Sequence, residues 1–515
     1  MKRWYAKGVS LVLASMLAVA GCSTAKEGQG AKSGTDAASG EKVLTIASAT
    51  DIQSFDFHNN NTTQSEAVLV NMFDYLIKND GTEKKPVLAT EWKKIDDKTW
   101  HFKLREGVKF HNGDPFTSAD VKFTLERAAR DSKLLQNSLY KQIKEVKIVD
   151  DYNVEIITSD PDPLLLNRLS RLGSGMMPSK YIQEKGMDAF LKEPVGTGPY
   201  KFSKWLKDDR VEMVKNTEYF GGTPKWDKVV FRSIPEASTR VSELLTGGVD
   251  IAANVPASDL KRINGNNNMT IAQTPIQRVL QLIVRTTPGA VTADPKVREA
   301  IDLAIDDKDI VDNILGGAGI PTRTSVTPGN FGADETLYKQ YLVDKDKARA
   351  LLKEAGYADK GPKVTFSAQE QYKEVAETVS AMLTEVGFEV NLEILEASKF
   401  SEKLSSKKFN ELFLLGVGNS MNDAANNYNR YKAANAKGET DYNNPEVEQL
   451  LQAAEKNMNP EERAKQYQRV QQIFAVERPA IYLYQMKGNY GIGSKIEYKP
   501  RLDEMYFVEE ITPKQ

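Results

Sequence analysis

The chain has one cysteine in 515 residues, and that count limits how it can fold. Cys22 has no partner within the chain, so no internal disulfide can staple it, and order must come from core burial. The roughly 470 residues from position 43 onward are ample for that. The place of the cysteine is also informative. Lys2, Arg3 and Lys7 precede an apolar run over 9–20, broken only by Ser10 and Ser15, and Gly21 follows. A positive start, a short apolar segment and small residues at the cut mark a secretory signal. The run is too short to span a bilayer, which takes about 20 apolar residues.

Leu17-Ala18-Val19-Ala20-Gly21-Cys22 resembles the lipobox of bacterial lipoproteins, which implies cleavage before Cys22 and a lipid on its sulfur. The segment 23–40 carries no aromatic and no large aliphatic residue. Such a stretch cannot bury enough apolar surface to offset its ordering entropy, and it reads as a tether. Removing the signal, with its three basic residues and no acid, takes the net charge from −2 to −5. That balance gives no basic excess to attract nucleic acid, which is not expected as a partner.

Periodicity predicts mixed strands and helices throughout. Trp100, Phe102 and Leu104 alternate on a strand ahead of the turn Asn112-Gly113-Asp114-Pro115. Thr117 with Asp120 forms a capping box for a helix through Val121 and Leu125. Two short strands flank Asp150-Asp151, and strands dominate 194–250. Asp294-Pro295 opens a helix, and Asp307 is read as the cap of another that ends at Gly316-Gly317. Further helices are expected over 344–355, 372–386 and 459–478, with strands over 388–394 and 480–484. The pattern argues for an α/β body of more than one lobe.

Three segments carry a resemblance. They are TWHFKLREGVKFHNGDPFTSADVKFTL over 99–125, PVGTGPYKFSKW over 194–205 with NTEYFGG over 216–222, and DPKVREAI over 294–301. In this order, behind a lipobox, the chain resembles solute-binding protein family 5 of bacterial ABC importers, the peptide- and nickel-binding group. The resemblance implies a two-lobed, periplasmic-binding-protein type II-like α/β fold with a small domain inserted in the N-terminal lobe. The expected division is signal 1–21, tether 22–42, first lobe 43–75, 172–279 and 480–515, insert 76–171 and second lobe 280–479. Hinges are expected near 274–278 and 479–484. Arg105, Gly107, Gly113, Asp114, Gly196 and Gly198 read as strand-and-turn chemistry, with the two last glycines suiting tight turns.

In peptide-binding relatives a second-lobe loop ends in Gly-Asp-Pro-Asp, and its first aspartate grips the peptide's ammonium. The matching stretch here is 415–426, which places Asp423 in that role and Asn422, Asn419 and Val417 beside it. A desolvated carboxylate facing an ammonium is a strong, charge-assisted contact. The sequence departs from the pattern at Val417, where a tryptophan is expected, and at Ala424 and Ala425. The arginine that dipeptide receptors place before the helix at 372 is missing from Ala368-Gln369-Glu370-Gln371. That absence favours a longer, modified or glutathione-like peptide. Arg278 and Arg285 are candidates for an anionic group.

The implied protein is a lipid-anchored, extracytoplasmic, monomeric receptor that hands a peptide-like solute to ABC permease subunits and does no chemistry. No cofactor is expected. Neither is a metal, since His58, His101 and His111 have no histidine or cysteine partner at ligand spacing. A nickel-chelate or other small-solute receptor of the same family stays open as an alternative. So does a lipid-tethered hydrolase, although the chain has no Gly-x-Ser-x-Gly elbow and no His-Glu-x-x-His, and so does an adhesin or signalling lipoprotein.

Overall fold

The computed structural model describes residues 40–514 except 61, 81, 82 and 267. The signal, Cys22 and the tether up to residue 39 lie outside the described residues. Among the described residues no helix is long and apolar enough to cross a membrane.

One mixed sheet of eleven strands runs through the body, and two long strands make it continuous. Thr270–Val284 and Ala480–Ile492 pair antiparallel along nearly their whole length. At one end Ile251–Ala252 joins them to Val43–Ser48, then to Lys228–Ser233, Arg210–Lys215 and Tyr200–Leu206. At the other end Thr270–Val284 pairs with Leu412–Gly418, which continues to Lys363–Gln369 and Glu389–Leu395. These last strands are parallel and joined through the helix Lys373–Glu385, as parallel pairing requires a crossover. The two lobes therefore share a sheet. Its ladder is irregular between Pro275 and Val279, where a proline that cannot donate meets a bulge.

Each lobe has its own core. Phe55, Phe73, Tyr200 and Phe231 pack in the first, and Leu282, Ile301, Phe366 and Leu414 in the second. A separate antiparallel sheet, Ala89–Lys94, Thr99–Leu104, Asn153–Thr158 and Ile143–Asp150, packs on the helix Ser118–Arg130 around Phe102, Phe116, Val121 and Ile156. The capping box forms: Asp120 Oδ2 accepts from Thr117 N at 2.9 Å. Its other oxygen accepts from Ser179 N at 2.9 Å, so one aspartate caps a helix and ties down the next chain segment.

The segments that carry the resemblance hold these parts together. His111 N donates to Gly196 O at 2.8 Å, and Gly196 N donates to His111 Nδ1 at 3.2 Å. Nε2 therefore carries the ring proton and donates to Gly198 O at 2.9 Å. Gly196 and Gly198 are needed for close approach and not, as expected, for turn conformation. A Cβ on Gly196 would lie 2.0 Å from Met72 O, and one on Gly198 2.6 Å from Met72 C. Arg105 donates from Nε to Val87 O at 2.9 Å and lies 5.1 Å from the Phe220 ring centroid.

Three local expectations are corrected. The cap ahead of Asp307–Asp309 is Asp306, whose Oδ1 accepts from Asp309 N at 3.0 Å, while Asp307 is buried one step inside. The stretch expected to be mainly strand contains the helix Ala237–Thr246, which buries Val241 and Leu244. The last long strand runs to Ile492, because its partner Thr270–Val284 extends equally far.

Candidate ligand cleft between the lobes

The strand Leu412–Gly418 ends at a loop that turns into the helix Ala424–Tyr428. Backbone and amide groups stitch this loop down. Asn419 N donates to Gln277 O at 2.8 Å, Phe331 N to Asn422 O at 2.9 Å, and Ala424 N to Phe331 O at 3.0 Å. Asn419 Oδ1 accepts from Asp423 N at 3.1 Å, and Asn426 Nδ2 donates to Gly418 O at 3.0 Å. Asn422 sits at φ +53°, a left-handed conformation that asparagine tolerates better than most residues.

Asp423 is 2% exposed, and its carboxylate is fully engaged. Arg463 donates to both oxygens at 2.7 Å, and Ala425 N donates to Oδ1 at 2.9 Å as the cap of Ala424–Tyr428. The guanidinium in turn lies over two aromatic rings, 4.7 Å from the Phe331 ring centroid and 5.0 Å from that of Tyr467. Here the Asp423 charge is met from within the protein, and the residue does not line the cavity in front of the loop. Val417 is buried, paired with Val279 in the ladder, and also does not line it.

That cavity, of about 240 Å³, lies between residues of 63–79 and Arg171 on one side, the loop 418–422 on another, and the C-terminal segment 502–507. Arg278, Asn419 and Asn422 line it, so the structure brings three of the sequence candidates together. Arg285 is elsewhere, bonded to Phe409 O and, at 2.5 Å, to Asp441. Most charges at the cavity are already matched. Arg171 pairs with Glu66 at 3.0 Å, Lys78 with Glu509 at 3.1 Å and Glu510 at 3.0 Å, and Arg501 with Asp503 at 2.9 Å.

Sequence reasoning missed Tyr372 and Glu504. A Cβ on Gly416 would lie 2.6 Å from the Tyr372 hydroxyl oxygen and 3.4 Å from Arg278 Cδ, so glycine here lets both side chains lie across the strand. Glu504 faces Arg278 at 3.6 Å, and burial pushes its carboxyl above the usual range, with Arg278 opposing the shift. Nothing local flags Glu504, since 501–505 has neither periodicity nor motif. Among the described residues no group of three His, Cys, Asp or Glu side chains could hold a metal ion.

Residues 83–439 match the family model of bacterial extracellular solute-binding proteins, family 5, which covers more than half of the chain. This chain belongs to that family. It is 29% identical over 459 residues to the glutathione-binding protein GsiB of Salmonella typhimurium, covering 86% of this chain and 88% of the relative. Its fold matches DppA of Helicobacter pylori, an ABC transporter-associated periplasmic binding protein in complex with the peptide STSA. The TM-score is 0.78 at 25% identity over 92% of this chain and 98% of that one. It also matches the fold of the oligopeptide-binding protein AppA of Bacillus subtilis, in complex with a nonapeptide. There the TM-score is 0.77 at 22% identity, over 92% of this chain and 100% of that one. The two-lobed periplasmic-binding-protein architecture expected from the sequence is the one observed.

Proposed function

We propose that this family 5 protein is the receptor of an ABC importer and captures a peptide or peptide-like solute by closing its lobes. The observation that carries this reading is the cavity where the lobes meet, lined by charges of both signs and by the buried amide of Asn419. Such a lining suits a solute that brings its own ammonium, carboxylate and amide groups. The relatives' ligands, glutathione and peptides, have this chemistry. A lipid on Cys22 attaches the body to the membrane through the tether. The receptor works as a monomer, with the lobe and insert limits expected from the sequence. Bending is assigned to the irregular ladder at 275–279, where two long strands pass between the lobes.

Scattering and thermal unfolding test the receptor reading. Addition of glutathione or short peptides is expected to reduce the radius of gyration and raise the melting temperature, while sugars leave both unchanged. Stabilisation by nickel alone would overturn the peptide reading. Cys22→Ser is expected to leave the protein uncleaved or released to the soluble fraction. A variant that is processed and still carries lipid would refute the anchor.

A further inference from the structure

Among the charges at the cavity, Arg278 and Glu504 are the pair that answer each other only loosely. Their separation of 3.6 Å is longer than the roughly 2.7–2.9 Å of a charge-assisted hydrogen bond. Glu504 is the one polar side chain that the Arg278 guanidinium meets among the described residues, and a Cβ added at Gly416 would lie 3.4 Å from Arg278 Cδ and one at Gly418 3.7 Å from its Cζ and Nη2. Glu504 is presented from a left-handed backbone at φ +63°, a conformation that costs a non-glycine residue energy and aims the side chain at Arg278. Asn419 completes the group. It is 3% exposed, its Oδ1 is used by Asp423 N, and its Nδ2 is buried with no partner among the described residues. A buried donor without a partner is costly, and a ligand acceptor would satisfy it.

The spacing selects a particular chemistry. Two opposite charges this close cannot receive the two ends of an extended dipeptide, which lie about 6 Å or more apart. They match an ammonium and a carboxylate carried on one carbon, whose nitrogen and oxygens lie within about 3 Å. We propose that Glu504 receives the ammonium and Arg278, with Asn419 Nδ2, the carboxylate of an α-amino-acid head. Ligand entry then replaces one slack contact by two short ones. Such a head occurs on a free amino acid and on a γ-linked glutamyl peptide, and not at either end of an ordinary α-peptide. The inference rests on the receptor reading above and narrows its ligand.

Calorimetry on the full mature protein separates the outcomes, with glutathione, N-acetylglutathione, trialanine and glutamate as probes. Wild type is expected to bind glutathione at least about tenfold more tightly than N-acetylglutathione, as loss of a buried charge partner predicts. Glu504→Gln is expected to cost glutathione about tenfold or more and to leave the acetylated form within about twofold. Arg278→Gln is expected to weaken both, and Arg278→Lys, which keeps the charge and loses the fork, to weaken them less. Glutamate binding as tightly as glutathione supports the head assignment and makes a free amino acid the ligand. If trialanine binds as well as glutathione and Glu504→Gln changes neither, the head assignment is overturned while the peptide reading stands. If wild type binds none of the probes, both fail. Equal loss of free and acetylated forms in a folded Glu504→Gln, checked by its melting temperature, would make Glu504 structural and overturn the inference.

Discussion

Arg463 decides what Asp423 can do. The loop resemblance placed Asp423 at the position of an ammonium anchor, but its charge partner lies 40 residues on, where no local pattern points to it. With both oxygens held by a buried guanidinium, the residue orders the loop that presents Asn419 and Asn422. Asp423→Asn would leave Arg463 buried without a counter-charge. We expect a loss of stability of about 3–5 kcal/mol, read by denaturant unfolding. Any loss of affinity should be shared by amine-blocked ligands, since it arises from the loop. A preserved melting temperature with selective loss for free amines would restore the ammonium-anchor role. Glu504 is the opposite case, a residue without any sequence signal that topology delivers to the cavity.

At the scale of elements, the legible features were those whose cause is local. The helices expected from Asp294, Asp344 and Asn459 onward do begin there, and each of these residues caps its helix, because a side chain bonding a backbone N–H two or three residues on needs no tertiary partner. Asp306 and Asp307 are adjacent and chemically alike, so sequence could not choose between them. The full length of Ala480–Ile492 depends on a strand some two hundred residues earlier and was out of reach. Asn459 links an element to the site. Its Oδ1 accepts from Glu461 N at 3.0 Å and Glu462 N at 3.3 Å, fixing the first turn that carries Arg463. Asn459→Ala is expected to cost about 1 kcal/mol and to lower the melting temperature. A change within error would mean that tertiary packing alone holds this turn.

For the whole molecule, two imidazoles, His58 buried and His111 half-buried, couple stability to pH. Burial, with the charge of Arg127, lowers His58 to about 3, and burial lowers His111 to about 4. Both remain neutral in the folded state while the unfolded chain takes up protons below about 6.5. Stability should therefore be unaffected by these groups above that pH and should fall as pH drops from 6.5 towards 4. Each contributes a slope approaching about 1.4 kcal/mol per pH unit. Asp74 acts in the other direction, since burial raises it to about 7 and the folded state keeps a proton that the unfolded chain releases above about 4. Asp74→Asn should thus steepen the acid-side fall, as measured by denaturant unfolding between pH 4.5 and 7. An Asp74→Asn profile that runs parallel to wild type over this range would contradict this account.

The His111 staple has one more consequence. Residues within the segments that carry the resemblance, His111, Gly196 and Gly198, bond to one another and tie two distant parts of the chain together, whereas Arg278, Asn419 and Glu504 line a cavity elsewhere. Frame and wall are written in different positions. Mutation can rewrite the wall while the frame keeps folding, so a lineage built this way can change what it imports without relearning its shape.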